Sequence, residues 1–417
     1  MTTAIASPAS ANATAGGPIV ERQGADAKLA FKLMFNAPDE CKFKSFEAIA
    51  KHAKEQRARS FELETDLRKV LFAHKNEHDY ALIGEHDLRL TNLFYKQIAA
   101  EAGIPIGTLA LLKPETRVRV LNELWEPKRG LTEPYERKLL QEKIEGGVDV
   151  RAMNGARYER LWDDEVFSEI DRWLLSSGWV PAYPTFNIDP ATPVEERAKA
   201  LLRTDRYSFT FYFTEPKFKA GDGFSTSKET HGGLTGSQAI AAAQGFSNPG
   251  DTDGLGGLRK GIMVYNGETG HKSFGWQQFL FRNVCSNFNI WDMSEGLTKR
   301  VRHTRSVREA FDVFKEDVKK LSGDLTELEL DTLRKATRIE FAKDDEAAAK
   351  RLNHLGVQNR FAAPAVKAAH EEINGGNLSL WSVVNGMTWH AKSLSNEEDR
   401  VELATHAGTV LNTVLAS

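Results

Sequence analysis

Three groups of side chains in one stretch of the chain have the types and spacing to do chemistry. The first is Glu268, in "NGETG", a carboxylate on a turn bounded by Gly267 and Gly270. Placed at a strand end, such a group can coordinate a divalent ion or act as a general base. The second is the polar "CSN" at Cys285 to Asn287, with Arg282 just before it. The third is "KRVRHTRSVR", which crowds Lys299, Arg300, Arg302, His303, Arg305 and Arg308 into ten residues. Clustered arginines and lysines are phosphate ligands, and arginine adds bidentate geometry. A solvated turn acid, a buried structural cysteine and solvated helix-end charge are the bland counterparts of these three readings.

Familiar catalytic signatures are missing. There is no Walker A loop, no dinucleotide-binding glycine fingerprint, no HExxH and no GxSxG. Paired Cys or His spacings of a zinc site are absent, and "DTDG" at Asp251 to Gly254 is not followed by the remaining ligands of a calcium loop. No cofactor and no metal is therefore assigned. With a net charge of −3, any polyanion site must be a local patch. Two cysteines far apart, Cys41 and Cys285, argue against a disulfide framework and fit a reducing cytoplasm. No apolar run reaches the roughly 20 residues that span a bilayer.

These groups need a scaffold. Residues 1–25 read as a disordered tail and 26–145 as a helical region, with helices over Phe43–Ser60, from Leu93 to a stop at Gly103, and over Pro114–Trp125. Residues 146–322 read as an α+β core. Its expected strands are Val148–Met153, "RYSFTFYF" with Tyr207, Phe209, Phe211 and Phe213 on one face, and Arg259–Gly267. A helix is expected from near Asp163, and another over "FGWQQFLFRNVC", where Trp276, Phe279, Leu280 and Val284 recur at helical spacing. A Gly- and Ser-rich insert at 220–257 is too weakly apolar for a core of its own, which predicts a mobile segment. Residues 323–417 read as helical. The fold class is α+β: a small, mostly antiparallel sheet flanked by helices, with a helical C-terminal third.

Four segments resemble the phage- and plasmid-associated family known as domain of unknown function 932. They are "LFYKQIAAEAGIPIGTLALLKPE", "VRAMNGARYERLWDDEV", "VYNGETGHKSFGWQQFLFRNVCSN" with the following "RVRHTRS", and "NLSLWSVVNGMTWHAKSL". The family's "TNG" is Ser286-Asn287-Phe288 here, and its "NSE" is Asn266-Gly267-Glu268. The resemblance implies a mobile-element setting rather than a reaction.

Together these readings lead to a cytoplasmic protein that binds nucleic acid, single-stranded DNA first, in replication or recombination. Its phosphate ligands would be Arg282, Lys299, Arg300, Arg302, His303, Arg305 and Arg308, beside a polar site at Glu268 and Asn287, with Tyr207 or Tyr212 as base-stacking rings. The alternatives are an oligomeric structural or host-interaction protein, and a metal-dependent enzyme on nucleic acid or nucleotides that uses Glu268, with Arg282, Arg302 and His303 stabilising phosphate charge.

Overall fold

The computed structural model describes residues 19–21, 37–182, 200–214, 258–282, 298–304, 306–322, 335–372, 378–394 and 397–417. Two mostly antiparallel sheets dominate it. The first has six strands: β2 (Ser60–Asp66), β3 (Leu71–Lys75), β4 (His78–Ile83), β5 (His86–Leu90), β6 (Glu136–Ile144) and β7 (Gly147–Gly155). Their order is β2-β6-β7-β5-β4-β3, and only β5 and β7 run parallel, with Leu88 opposite Val148. The second sheet runs from β1 (Ile19–Glu21) through β13 (Thr298–Val301), β12 (Phe274–Arg282), β11 (Leu258–Asn266) and β10 (Ser208–Thr214) to β8 (Trp179–Pro181). A short β9 (Leu201–Arg203) shares the β10 edge with β8.

Helices cover one face of each sheet. α2 (Asn92–Glu101), α3 (Ile106–Ala110) and α4 (Pro114–Arg129) close over the first, burying Phe94, Ile98, Leu121 and Trp125 against Val150 and Leu139. α1 (Phe46–Arg59), α5 (Asp163–Trp173) and α6 (Ala310–Leu321) close over the second, burying Phe46, Phe167 and Phe314 with Tyr212, Ile262 and Trp276. Local signals set the ends. The Ser45 hydroxyl caps α1, the Thr91 hydroxyl caps α2, and α4 begins on Pro114. α2 is followed within two residues by Gly103, held at φ +72°, as the "GIP" turn predicts. The C-terminal region is helical: α7 (Asp345–His354), α8 (Asn359–Glu372), α9 (Leu380–Ser393) and α10 (Glu397–Ala416) share their own core around Trp381, Val384 and Met387. Among the described residues no helix is long and apolar enough to cross a membrane.

Three expectations are corrected. Residues 26–145 are not simply helical, because five strands of the first sheet lie there. Those strands are short and charged, and β4 alternates buried Asp79, Ala81 and Ile83 with less buried residues. Its hairpin to β3 turns on Asn76 and Glu77, both at positive φ, without the Asn-Gly pair that advertises such a turn. The expected helix over "FGWQQFLFRNVC" is instead β12. Phe274, Trp276, Gln277 and Gln278 are all buried, so burial here gives no clean period of two that would set this strand apart from a helix. The β10 sheet, too, is covered on both faces, since Phe209, Phe211 and Tyr212 are all buried. Within the expected tail, Ile19–Glu21 pairs with β13; the rest of 1–25, the insert at 220–257, Cys285, Asn287 and Arg305 lie outside the described residues.

Candidate nucleic-acid interface

The Glu268 turn lies where the two sheets meet. Gly267 passes so close to the Lys272 backbone that a Cβ would sit 2.6 Å from its nitrogen, and Gly270 takes φ +87° beside the Asn154 amide. The turn delivers Glu268 into a buried charge network. Its Oε1 accepts from Arg151 Nη2 at 2.8 Å and Arg203 Nη2 at 3.0 Å, and its Oε2 accepts from the Asp163 amide at 3.2 Å. Arg203 Nε donates to Asp163 Oδ2 at 2.8 Å, while Ser208 Oγ and Asn266 Nδ2 donate to Oδ1. Arg160 donates to the Glu268 carbonyl, to Asn154 Oδ1 at 2.8 Å and to Glu62 Oε1 at 2.9 Å.

Arg151, Asn154 and Glu62 belong to the first sheet, and Arg203, Ser208 and Asn266 to the second. The network therefore staples one sheet to the other. Burial acts to raise the Glu268 pKa, but the Arg203 and Arg151 charges outweigh it and hold the carboxyl down at about 2. Burial, and then the Glu268 charge, push Asp163 above the ordinary carboxylate value. With its carboxylate oxygens engaged by two guanidinium groups and a backbone amide, Glu268 sits as an ion-pair partner rather than as an open metal ligand. Among the described residues no group of three or more His, Cys, Asp or Glu side chains is arranged to hold a metal.

The basic run is dispersed. Alternation along β13 sends neighbouring side chains to opposite faces. Lys299 turns toward α6, where its Nζ lies 3.1 Å from the buried Asp317 carboxylate, whereas Arg300 donates to Ser273 Oγ at 3.0 Å. Arg308 is paired with Glu165 at 3.1 Å. His303 is buried and stacked on Tyr158, with ring centroids 5.1 Å apart. Burial, then the charge of Arg160, bring its imidazole down to about 4, so it is neutral at pH 7. Arg302 is exposed, on the segment following the strand that pairs Val301 with Phe274. Arg282 ends β12, opposite Leu258. Of the two stacking candidates, Tyr212 is fully buried and Tyr207 is half-buried, its ring edge-on to Phe209 at 5.4 Å.

The fold assembles a different group: two cations and an imidazole. Lys96 of α2, Arg206 of the β9–β10 turn and His271 of the β11–β12 turn lie close enough that the charges of Arg206 and Lys96 both act on the His271 imidazole. Desolvation first, then Arg206 and Lys96, hold its pKa below the ordinary histidine value. Each arrives by a specific tether. Gln97 exchanges two hydrogen bonds with the Met153 backbone, at 2.9 and 2.7 Å, which fixes α2 over β7. Thr204 Oγ1 accepts from the amides of Arg206 and Tyr207, and Thr269 Oγ1 donates to the Arg206 carbonyl at 3.0 Å. Asn154 Nδ2 donates to the Thr269 carbonyl at 3.0 Å. Lys272, next along, places Nζ 5.8 Å from the Phe209 ring centroid and 5.5 Å from that of Tyr265. Two isolated cations and one imidazole from distant segments give no signal in the sequence, so sequence reasoning does not find this group.

No protein-family model, curated protein or solved structure matches the chain.

Proposed function

We propose that the protein binds single-stranded nucleic acid at the rim where the two sheets meet, in the replication or recombination of a mobile element. One observation carries this reading: Arg206 and Lys96 lie near enough to His271 for both charges to act on its imidazole, and Tyr207, the residue after Arg206, is half-buried. Cations spaced along a rim track a phosphate backbone, and an adjacent aromatic ring offers a stacking surface to an unpaired base. Arg302 extends the same rim, because it follows the strand paired with the segment after His271. The buried network below supplies rigidity, so the cations are positioned before the ligand arrives.

Fluorescence anisotropy with a labelled single-stranded oligonucleotide tests this. Replacing Lys96 and Arg206 together by alanine should weaken binding and flatten the plot of log affinity against log salt by about 0.7 for each phosphate no longer neutralised. Thermal stability should move little, since Lys96 is exposed, Arg206 partly so, and such surface charges contribute within roughly ±0.5 kcal/mol. Absence of wild-type binding at low salt, or a double variant with an unchanged salt slope, would reject the assignment.

A further inference from the structure

A cleft of about 570 Å³ opens between α2 and the paired ends of β6 and β7, lined by Gln97, Ala100, Glu101, Arg137, Met153 and Asn154. Its size falls in the roughly 300–1,000 Å³ range of small-ligand pockets. The cleft adjoins the cationic rim on two sides. Lys96 precedes Gln97 on α2, and Asn154 holds the Thr269 carbonyl two residues before His271.

The polar groups inside are held in place but not used up. Glu101 Oε2 accepts from Lys128 Nζ at 3.2 Å and from the Tyr135 hydroxyl. Its other oxygen, Oε1, lies 3.7 Å from Arg137 Nη2, too far for a hydrogen bond. The Arg137 guanidinium lies over the Tyr135 ring, 3.8 Å from its centroid, which fixes its plane. A rigid acceptor thus stands beside a rigid donor, each with capacity to spare. The Watson–Crick edge of a nucleobase presents donors and acceptors side by side and can engage both. A phosphate offers acceptors alone and could engage Arg137 but not Glu101, whereas a base edge can engage both.

We propose that this cleft receives an unpaired nucleobase of the strand whose phosphates lie on Lys96, Arg206 and His271, an inference that rests on the single-strand reading above. In a duplex the same base edges are paired, so the cleft selects for single strands.

The test uses the full chain and two probes of equal length, about 12 nucleotides, in the range of site sizes for single-strand binders. One carries bases, and the other is the same phosphate chain with abasic residues. Wild type should prefer the base-bearing strand by about tenfold or more, the scale of one well-held base. Ala100→Trp, at an exposed α2 position, fills the cleft and should erase that preference while keeping the salt slope; Ala100→Leu should lose part of it. Melting curves for both variants establish that they fold. A preference that survives in folded Ala100→Trp, or equal wild-type affinity for the two probes, overturns the cleft assignment while the rim reading stands. Failure of wild type to bind either probe overturns both.

Discussion

Replacing Arg203 by methionine should expose how the two sheets are held together. Arg203 is 4 % exposed and donates to Asp163 at 2.8 Å, to Glu268 at 3.0 Å and to His52 Nδ1 at 3.1 Å. Methionine fills similar volume but leaves two carboxylates facing each other with only Arg151 on Glu268 to balance them. Burying an unpaired charge is so costly that one carboxyl will take a proton instead. With unfolded pKa values near 4, holding a carboxyl protonated at pH 7 costs about 4 kcal/mol, in the range of about 3–5 kcal/mol for breaking a buried ion pair. That cost shrinks by about 1.4 kcal/mol for each pH unit on the way down, because the variant's folded state binds one proton more than its unfolded state. The difference from wild type in urea-unfolding free energy should therefore be about 4 kcal/mol at pH 7 and only about 1–2 kcal/mol at pH 5. Adding Asp163→Asn to Arg203→Met removes the surplus charge and should restore most of the stability and abolish the pH dependence. A loss below about 1 kcal/mol at pH 7, or one that does not change with pH, would show that the carboxylates are balanced by something other than Arg203 and would refute the argument.

Three further outcomes follow from the same structure. The His271 imidazole, held below its ordinary pKa, is neutral at pH 7, and a bound phosphate would raise that pKa, so binding takes up a proton. Oligonucleotide affinity should then increase as pH falls from 8 to 6, by at most about tenfold per pH unit for a single group, and His271→Gln should flatten the profile. Phe211, fully buried in β10, should cost about 3–5 kcal/mol on replacement by alanine, read from urea midpoints, without altering the salt dependence of binding. Gly386 of α9 lies so close to α8 that a Cβ would press into the Ala365 carbonyl and Ala369; in Gly386→Ala the overpacking cost of about 1–3 kcal/mol should outweigh a helix-propensity gain of about 1 kcal/mol, lowering the melting temperature.

What the sequence by itself determined is what local chemistry determines. Pro114 and Gly103 mark helix ends because φ restrictions act within a few residues, and these ends lie where the sequence puts them. The apolar stripe of α6 and the alternation of β10 are likewise local patterns, and they suffice for an α+β assignment with a helical C-terminal region. The pattern failed where both sides of an element are buried. In β12 Phe274 and Trp276 face the core on one side while Gln277 is buried on the other, so no clean period-two signal survives. In the first sheet the strand expected over Val148–Met153 lies within β7, whereas β2, where Phe61 and Leu63 alternate with Glu62 and Glu64, carries a period-two signal that a helical reading of 26–145 overlooks.

The candidate site was decided by tertiary structure alone. Proximity in sequence made Lys299, Arg300, Arg302, His303 and Arg308 look like one surface. Burial took His303 out of it, ion pairing turned Lys299 to Asp317 and Arg308 to Glu165, and Arg300 turned to Ser273. Glu268, legible as a special turn residue, became an ion-pair partner only because β7 and β9 bring Arg151 and Arg203 to it across 117 and 65 residues of chain. Lys96, Arg206 and His271 are ordinary where they stand in the sequence, and a charge acquires binding power from neighbours in space. Coulomb interactions depend on through-space distance and burial, and neither quantity exists until the two sheets have docked.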